Sequence, residues 1–166
     1  MSTIALWFFP VAMAIAASSD LLTMKISNKL VLVLTAGFFI VALTVNLSLE
    51  QFALHILCAL IVLAVAFGFF ALGFIGGGDA KLVAATTLWL GFGATLPYLG
   101  YTAILGGVLT LLILVLRGIP LNPVLARMGW LARLHNKRSG VPYGIAMAVA
   151  GILVYSNSAI FERLTA

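Results

Sequence analysis

The sequence predicts an all-α, polytopic integral membrane protein with about six transmembrane helices. Three observations carry this. Of 166 residues, 64% are hydrophobic and only 8% are charged, whereas a soluble domain carries about a quarter charged residues. The mean hydropathy is +1.24. The apolar residues also fall into long runs without the alternation of outer-membrane strands, so each run must satisfy its backbone internally, as a helix. The length suits one domain, residues 1–166.

Six runs approach the roughly 17–25 residues that a span requires: 3–24, 29–46, 52–74, 80–96, 98–117 and 141–159. The first, within MSTIALWFFPVAMAIAASSD, has the apolar core and the small residues (Ala16, Ala17) of a signal peptide. It lacks a basic n-region and further runs follow it, so it reads as a retained first helix. The second and third are uninterrupted, the third ending abruptly at three glycines. The fourth contains Thr86, Thr87, Gly91 and Gly93 and is the weakest, short or tilted. Between the fifth and sixth, Val124, Met128, Leu131 and Leu134 recur near helical spacing beside Trp130, with Arg127, Arg133 and Lys137 interleaved. That pattern predicts a short interfacial helix opened by Pro120 and Pro123. No internal repeat of the kind found in many transporters is present.

The net charge of +5 could suggest a nucleic-acid partner, but the basic residues lie between the apolar runs. Lys25, Lys29, Lys81, Arg117, Arg127, Arg133, Lys137 and Arg138 fall in connections on one side, and only Arg163 falls on the other. The positive-inside rule then places the termini outside and the basic loops in the cytoplasm. Trp89, Tyr98 and Tyr143 fit an interfacial aromatic belt. Cys58 stands alone in an apolar run, so it forms neither an internal disulfide nor a CxxC site. His55 reads as a packed polar residue near the outer face and His135 as a solvated loop residue. Far apart and on opposite sides, they offer no metal site.

The chain has only two aspartates, Asp20 and Asp79. Both fall at the cytoplasmic ends of spans, so two carboxylates 59 positions apart share one depth. An acid in a bilayer costs roughly 2.5–3.5 kcal/mol on insertion scales and is a functional candidate by default. Two carboxylates at about 3 Å cannot both ionise and share a proton. One can then deprotonate a water while the other protonates a carbonyl, which is aspartic proteolysis without a metal. Gly76, Gly77 and Gly78 precede Asp79; lacking Cβ atoms, they tolerate unusual torsions and let a substrate backbone approach. An exposed backbone edge there could hold an unwound substrate by strand pairing. The bland alternatives are a glycine turn with Asp79 as N-cap, Asp20 paired with Lys25 in the headgroups, and Lys81 as a topology anchor.

The motifs resemble those of the type IV prepilin (leader) peptidases, intramembrane aspartic proteases of the GxGD type. GGGDAK (Gly76–Lys81) matches the GxGDxK pattern. DLLTMKISN (Asp20–Asn28) resembles the first aspartate motif, with Lys25, Ile26 and Asn28 in place and Ser27 where the family has proline. VPYGIAMAVAGI (Val141–Ile152) resembles the last-helix stretch with Pro142, Tyr143 and Gly144. The resemblance implies Asp20 and Asp79 as the catalytic pair, with Gly76, Gly78, Lys81, Asn28, Pro142, Tyr143 and Gly144 binding substrate or shaping the site. It implies no cofactor and no metal. The implied substrate is a prepilin or pseudopilin, an apolar helix with a basic leader, cut at the cytoplasmic face of the bacterial inner membrane. The short connection around Lys25–Lys29 and the single cysteine leave no place for the methyltransferase region of larger members, so the chain resembles the small Flp/Tad pilus (CpaA/TadV-like) type. The readings from other classes are a small proton-coupled membrane transporter and a non-catalytic pilus or secretion assembly subunit. Neither the lipid-facing composition nor the motifs suggest a nucleic-acid partner.

Overall fold

In the computed structural model, which describes residues 2–165, the chain forms eight helices and, among the described residues, no strand. These are α1 (Ser2–Thr23), α2 (Asn28–Thr44), α3 (Leu49–Ala71), α4 (Gly77–Gly118), α5 (Pro123–Ala126), α6 (Gly129–His135), α7 (Tyr143–Tyr155) and α8 (Ala159–Thr165). The starts follow local chemistry. Ser27 caps α2, its hydroxyl accepting from the Leu30 N–H at 3.2 Å. Ser48 and Gln51 form a reciprocal capping box at α3. The serine standing where the resemblance expects proline is thus a helix cap, a role Pro could not fill with its side chain.

Three helices are long and apolar enough to cross a membrane, or four if the bent pair α7–α8 is one span. The expectation of six is corrected on three counts. The second run forms a helix of only 17 residues. The sixth forms only the 13-residue α7, which a 51° bend separates from α8. The fourth and fifth are separated not at 96–98 but at Gly91, whose φ of 65° and ψ of −179° break the 42-residue run Gly77–Gly118 into two helical limbs. A straight helix of that length would run about 63 Å, twice a hydrocarbon core. Instead, Arg117 near its end donates to the Gly140 carbonyl, and Asp79 near its start lines a cavity with the same Gly140. Helix α4 therefore doubles back at Gly91 and fills the place of two of the expected spans.

The break is built from residues that no hydropathy window singles out. A backbone at φ 65° and ψ near 180° is open essentially only to glycine. The break leaves a helix carbonyl for another donor, and His55 Nδ1 lies 2.8 Å from the Leu88 carbonyl. A Cβ on Gly91 would lie 2.9 Å from the His55 ring. His55 is thus a buried, packed side chain at the turn of α4, as its lone position suggested.

The first limb of α4, residues 77–90, is the centre of the bundle. Ala80 and every residue from Leu82 to Gly91 are buried, with α2, α3 and α7 packed around the helix. This explains the weak hydropathy of the fourth run: a helix surrounded by protein need not be lipophilic. Thr86 and Thr87 satisfy their hydroxyls on their own helix, at Leu82 O (2.9 Å) and Ala84 O (3.0 Å). Trp89 donates to Leu34 O at 3.0 Å and stacks with Phe8. Trp89 and Tyr98 are fully buried, which corrects their placement in an interfacial belt; of the three aromatics only Tyr143 is exposed. The basic connection also differs from expectation. It holds two short helices, α5 and α6, not one, because the chain turns at Arg127–Met128. His135 ends α6 and so belongs to a helix, not a loop.

Candidate active site

Asp20 sits one turn before the end of α1. Helix α1 stops because Met24 takes the left-handed conformation, φ 55°, its N–H still reaching the Asp20 carbonyl at 2.8 Å. The next residues are tied back: Ser19 Oγ and Thr23 Oγ1 both donate to the Lys25 carbonyl, at 3.0 and 3.2 Å. This small knot turns the chain toward α2 within four residues and leaves Asp20 facing inward, 5% exposed.

Asp79 is the third residue of α4, behind Gly76 at the N-cap position. The glycine, not the aspartate, is the cap. The Asp79 carboxylate turns back toward the Gly76 amide, where the N-terminal end of the helix dipole favours negative charge. Asp20 and Asp79 line one cavity of about 610 Å³, with Lys25, Ile26, Gly76, Gly78 and Tyr143 also in its wall. Two acids that arrive from separate helices, 59 positions apart in sequence, thus meet in one space.

A third element completes the seat. The Gly144 N–H, at the start of α7, donates to Asp20 Oδ2 at 2.7 Å. A Cβ on Gly144 would lie 2.8 Å from that same oxygen and 2.9 Å from the Asp20 Cβ. Glycine is required here by close approach. Pro142 is the buried N-cap of α7, presetting the turn that aims Gly144. Tyr143 packs its ring on Gly106 and its hydroxyl lies 3.0 Å from Thr110 Oγ1, bracing α7 against the second limb of α4.

The other anticipated residues lie farther out. Lys81 and Asn28 bond each other, Nζ to Oδ1 at 3.1 Å, linking α4 to α2. Lys81 faces a separate groove between α2 and α3, and neither residue lines the aspartate cavity. Conversely, Met24, Phe74, Ile75, Gly140 and Val141 line the cavity without having been anticipated as site residues. Val141 opens the last-helix motif and Gly140 precedes it; Met24 lies within the first aspartate motif without being one of its matching residues, and Phe74 carries no chemical signal in the sequence. Among the described residues no group of three His, Cys, Asp or Glu side chains is arranged to hold a metal ion.

The glycine run works differently from the expectation. Gly76 is extended (φ −73°, ψ 148°) and Gly77 and Gly78 are helical, so none needs a torsion reserved for glycine; only the preceding Gly73 does, at φ 79°. Space is what matters. A Cβ on Gly76 would lie 2.9 Å from Asp79 Oδ2, and one on Gly78 would lie 3.2 Å from the branched Cβ of Ile26 and 3.5 Å from its carbonyl. On Gly77 it would meet only the Phe70 ring, at 3.3 Å, a half-exposed side chain that can swing away. Valine at Gly76 or Gly78 is therefore expected to lower activity at least about tenfold, since a displacement of about 1 Å in a catalytic group can cost about 100-fold. Alanine at Gly77 is expected to stay near wild type. Rates of the purified, stably inserted variants test this; a fully active Gly78→Val sinks the close-approach argument.

Fold and cavity together define a class: a helical, polytopic membrane protein in which two acidic side chains from different helices share one cavity at the helix ends. The chain belongs to the type IV leader peptidase family, whose sequence profile matches residues 7–111. No curated protein and no solved structure matches the chain. The match contains both aspartates and ends before Gly144, which the fold brings onto Asp20. Membership carries a leader-peptidase type of function in general terms.

Proposed function

We propose that the protein is a prepilin peptidase that removes the basic leader of a prepilin or pseudopilin at the cytoplasmic face of the inner membrane, with Asp20 and Asp79 as the catalytic pair. One observation carries the reading: the only two aspartates of the chain line a single cavity. In the reaction one carboxylate takes a proton from water, the resulting hydroxide attacks the scissile carbonyl, and the other carboxylic acid protonates the carbonyl oxygen. Collapse of the tetrahedral intermediate breaks the C–N bond, with a proton passing to the leaving amine. The Gly144 N–H holds one Asp20 oxygen as an acceptor, leaving the other free to face the water. Extended Gly76, with Ile75 beside it at the cavity wall, offers a short backbone edge for an unwound substrate.

The activity proposed is cleavage alone. Only Met24–Ile26 and the cap Ser27 join α1 to α2, so no domain is inserted there. Purified protein, mixed in a bilayer with a candidate prepilin and a methyl donor, is expected to yield a pilin shortened by its leader and unmodified at its new N-terminus. An uncut prepilin overturns the reading, and a methylated product overturns the restriction to cleavage. The small Flp/Tad type is the subclass to try first, since a short connection and one cysteine are what its resemblance rests on.

The side of the membrane has its own test. Eight basic residues lie at the end of the bundle that holds the aspartates, or in its connections, while Arg163 packs against Val45 and Asn46 at the other end. Reporter fusions after Glu50 are expected to read periplasmic and those after Arg133 cytoplasmic. The reverse pattern would move the aspartates to the wrong side for a cytoplasmic leader.

A further inference from the structure

Arg117, in the last turn of α4, is 9% exposed, yet a guanidinium near a membrane face could reach water by extending its stem. It is held inward by three backbone carbonyls. Nε donates to Leu134 O at 2.8 Å, and Nη2 donates to Ser139 O at 3.0 Å and Gly140 O at 2.9 Å. None of these hydrogen-bond acceptors is a carboxylate. Burying a charge against dipoles alone costs several kcal/mol before the hydrogen bonds offset it. A Leu or Met would anchor the end of α4 without that cost. What the guanidinium adds is direction, because its planar fork fixes several acceptors at once.

The clamped carbonyls belong to one path. Leu134 lies in the last turn of α6, Ser139 and Gly140 follow the turn at Lys137–Arg138, and Pro142 then caps α7. Four residues beyond Gly140 stands the Gly144 N–H that bonds Asp20. The same α6 is tied from the other flank by Arg133, whose Nη2 donates to the Leu22 carbonyl at 2.6 Å, two residues beyond Asp20. The segment 133–140 is thus pinned to α1 on one side and to α4 on the other, with Gly140 and Val141 in the wall of the aspartate cavity.

We propose that Arg117 is a positioning residue for Asp20: by clamping the carbonyls of Leu134, Ser139 and Gly140 it sets the start of α7, and with it the Gly144 N–H that holds the Asp20 carboxylate. The inference rests on the leader-peptidase reading. It gives Arg117 a task different from the topology anchor that its sequence position suggests, and it extends the site beyond the residues that match the family.

The test uses the full chain in a bilayer with a prepilin, comparing wild type with Arg117→Lys and Arg117→Met. Wild-type cleavage comes first, and its absence counts against the functional reading itself. Given cleavage, Arg117→Met is expected to lower kcat about 10- to 100-fold, the range of hydrogen bonds to a charged group, with KM close to wild type. Arg117→Lys, which keeps the charge but not the fork, is expected to fall between. Hydrogen exchange is the second readout: amides of 139–146 are expected to exchange faster in both variants while those of α3 keep wild-type protection. If Arg117→Met fails to insert, Arg117→Lys decides alone. Wild-type kcat in the variant that inserts, a loss confined to KM, or faster exchange spread through α3 each overturn the proposal.

Discussion

Asp20→Asn and Asp79→Asn are each expected to stop leader removal, and the double variant is expected to be no slower than either single. Asparagine keeps the shape and some hydrogen bonding of the carboxylate but can neither accept the proton of an attacking water nor donate one as an acid. In a dyad each member is useless without the other, so the losses do not add; residues acting as a unit show this behaviour in other proteases, with single losses of about 10⁴-fold or more. Insertion should be unaffected, since neutralising an acid in an apolar setting removes a desolvation cost. Glu50→Gln and Glu162→Gln serve as controls: both side chains are exposed, in the first turn of α3 and in α8, at the end of the bundle away from the aspartates, and both variants should process at the wild-type rate. Conversion of coexpressed prepilin, read as a size shift, is the measurement. Processing by Asp79→Asn would rule out the aspartic mechanism and bring the transporter and assembly readings forward.

Gly144→Ala is expected to cost about 100-fold or more in kcat although it touches no substrate. The added methyl would stand 2.8 Å from Asp20 Oδ2 and 3.1 Å from its Cγ, so the carboxylate must rotate or α7 must shift. Either movement lengthens the 2.7 Å bond from the Gly144 N–H. A displacement of about 1 Å in a catalytic group is enough for a loss of that size. The far side of the seat cannot yield easily, because Tyr143 is wedged against Gly106, where a Cβ would already lie 2.8 Å from the ring. Gly107→Ala is the natural control, since a Cβ there meets nothing within 4 Å and lies away from the aspartate cavity, and it should remain active. An active Gly144→Ala would show that the contact with Asp20 is not needed for the chemistry.

Much of the candidate site could be read from residue types. Aspartate is expensive in a bilayer and occurs twice, so the pair stood out without any fold. The glycines before Asp79 and the Pro142–Gly144 stretch were legible as motifs, although the geometry behind them was not: Gly76 and Gly78 are crowded by neighbours, Asp79 and Ile26, and adopt torsions open to other residues. Lys81 and Asn28 were grouped with the aspartates by the motifs they complete, and in the fold Lys81 bonds Asn28 of α2. Trp89 and Tyr98 looked like belt residues because Trp and Tyr are enriched at membrane interfaces. Trp89 is buried because it lies on the central limb, and the reversal at Gly91 brings Tyr98 back against the bundle.

The sequence by itself determined that the chain is helical and membrane-embedded, because hydropathy and charge are local properties that each run carries alone. It determined as well which two acids demand an explanation. Only the tertiary structure decided that α4 doubles back, since one among 16 glycines becomes a hinge only when His55 stands ready for the Leu88 carbonyl. It alone decided that Gly144 reaches Asp20, 124 positions away, and that Arg117 turns inward to three carbonyls. Such hydrogen bonds link partners distant in sequence, and their geometry is set by how helices pack against one another, which no local pattern encodes.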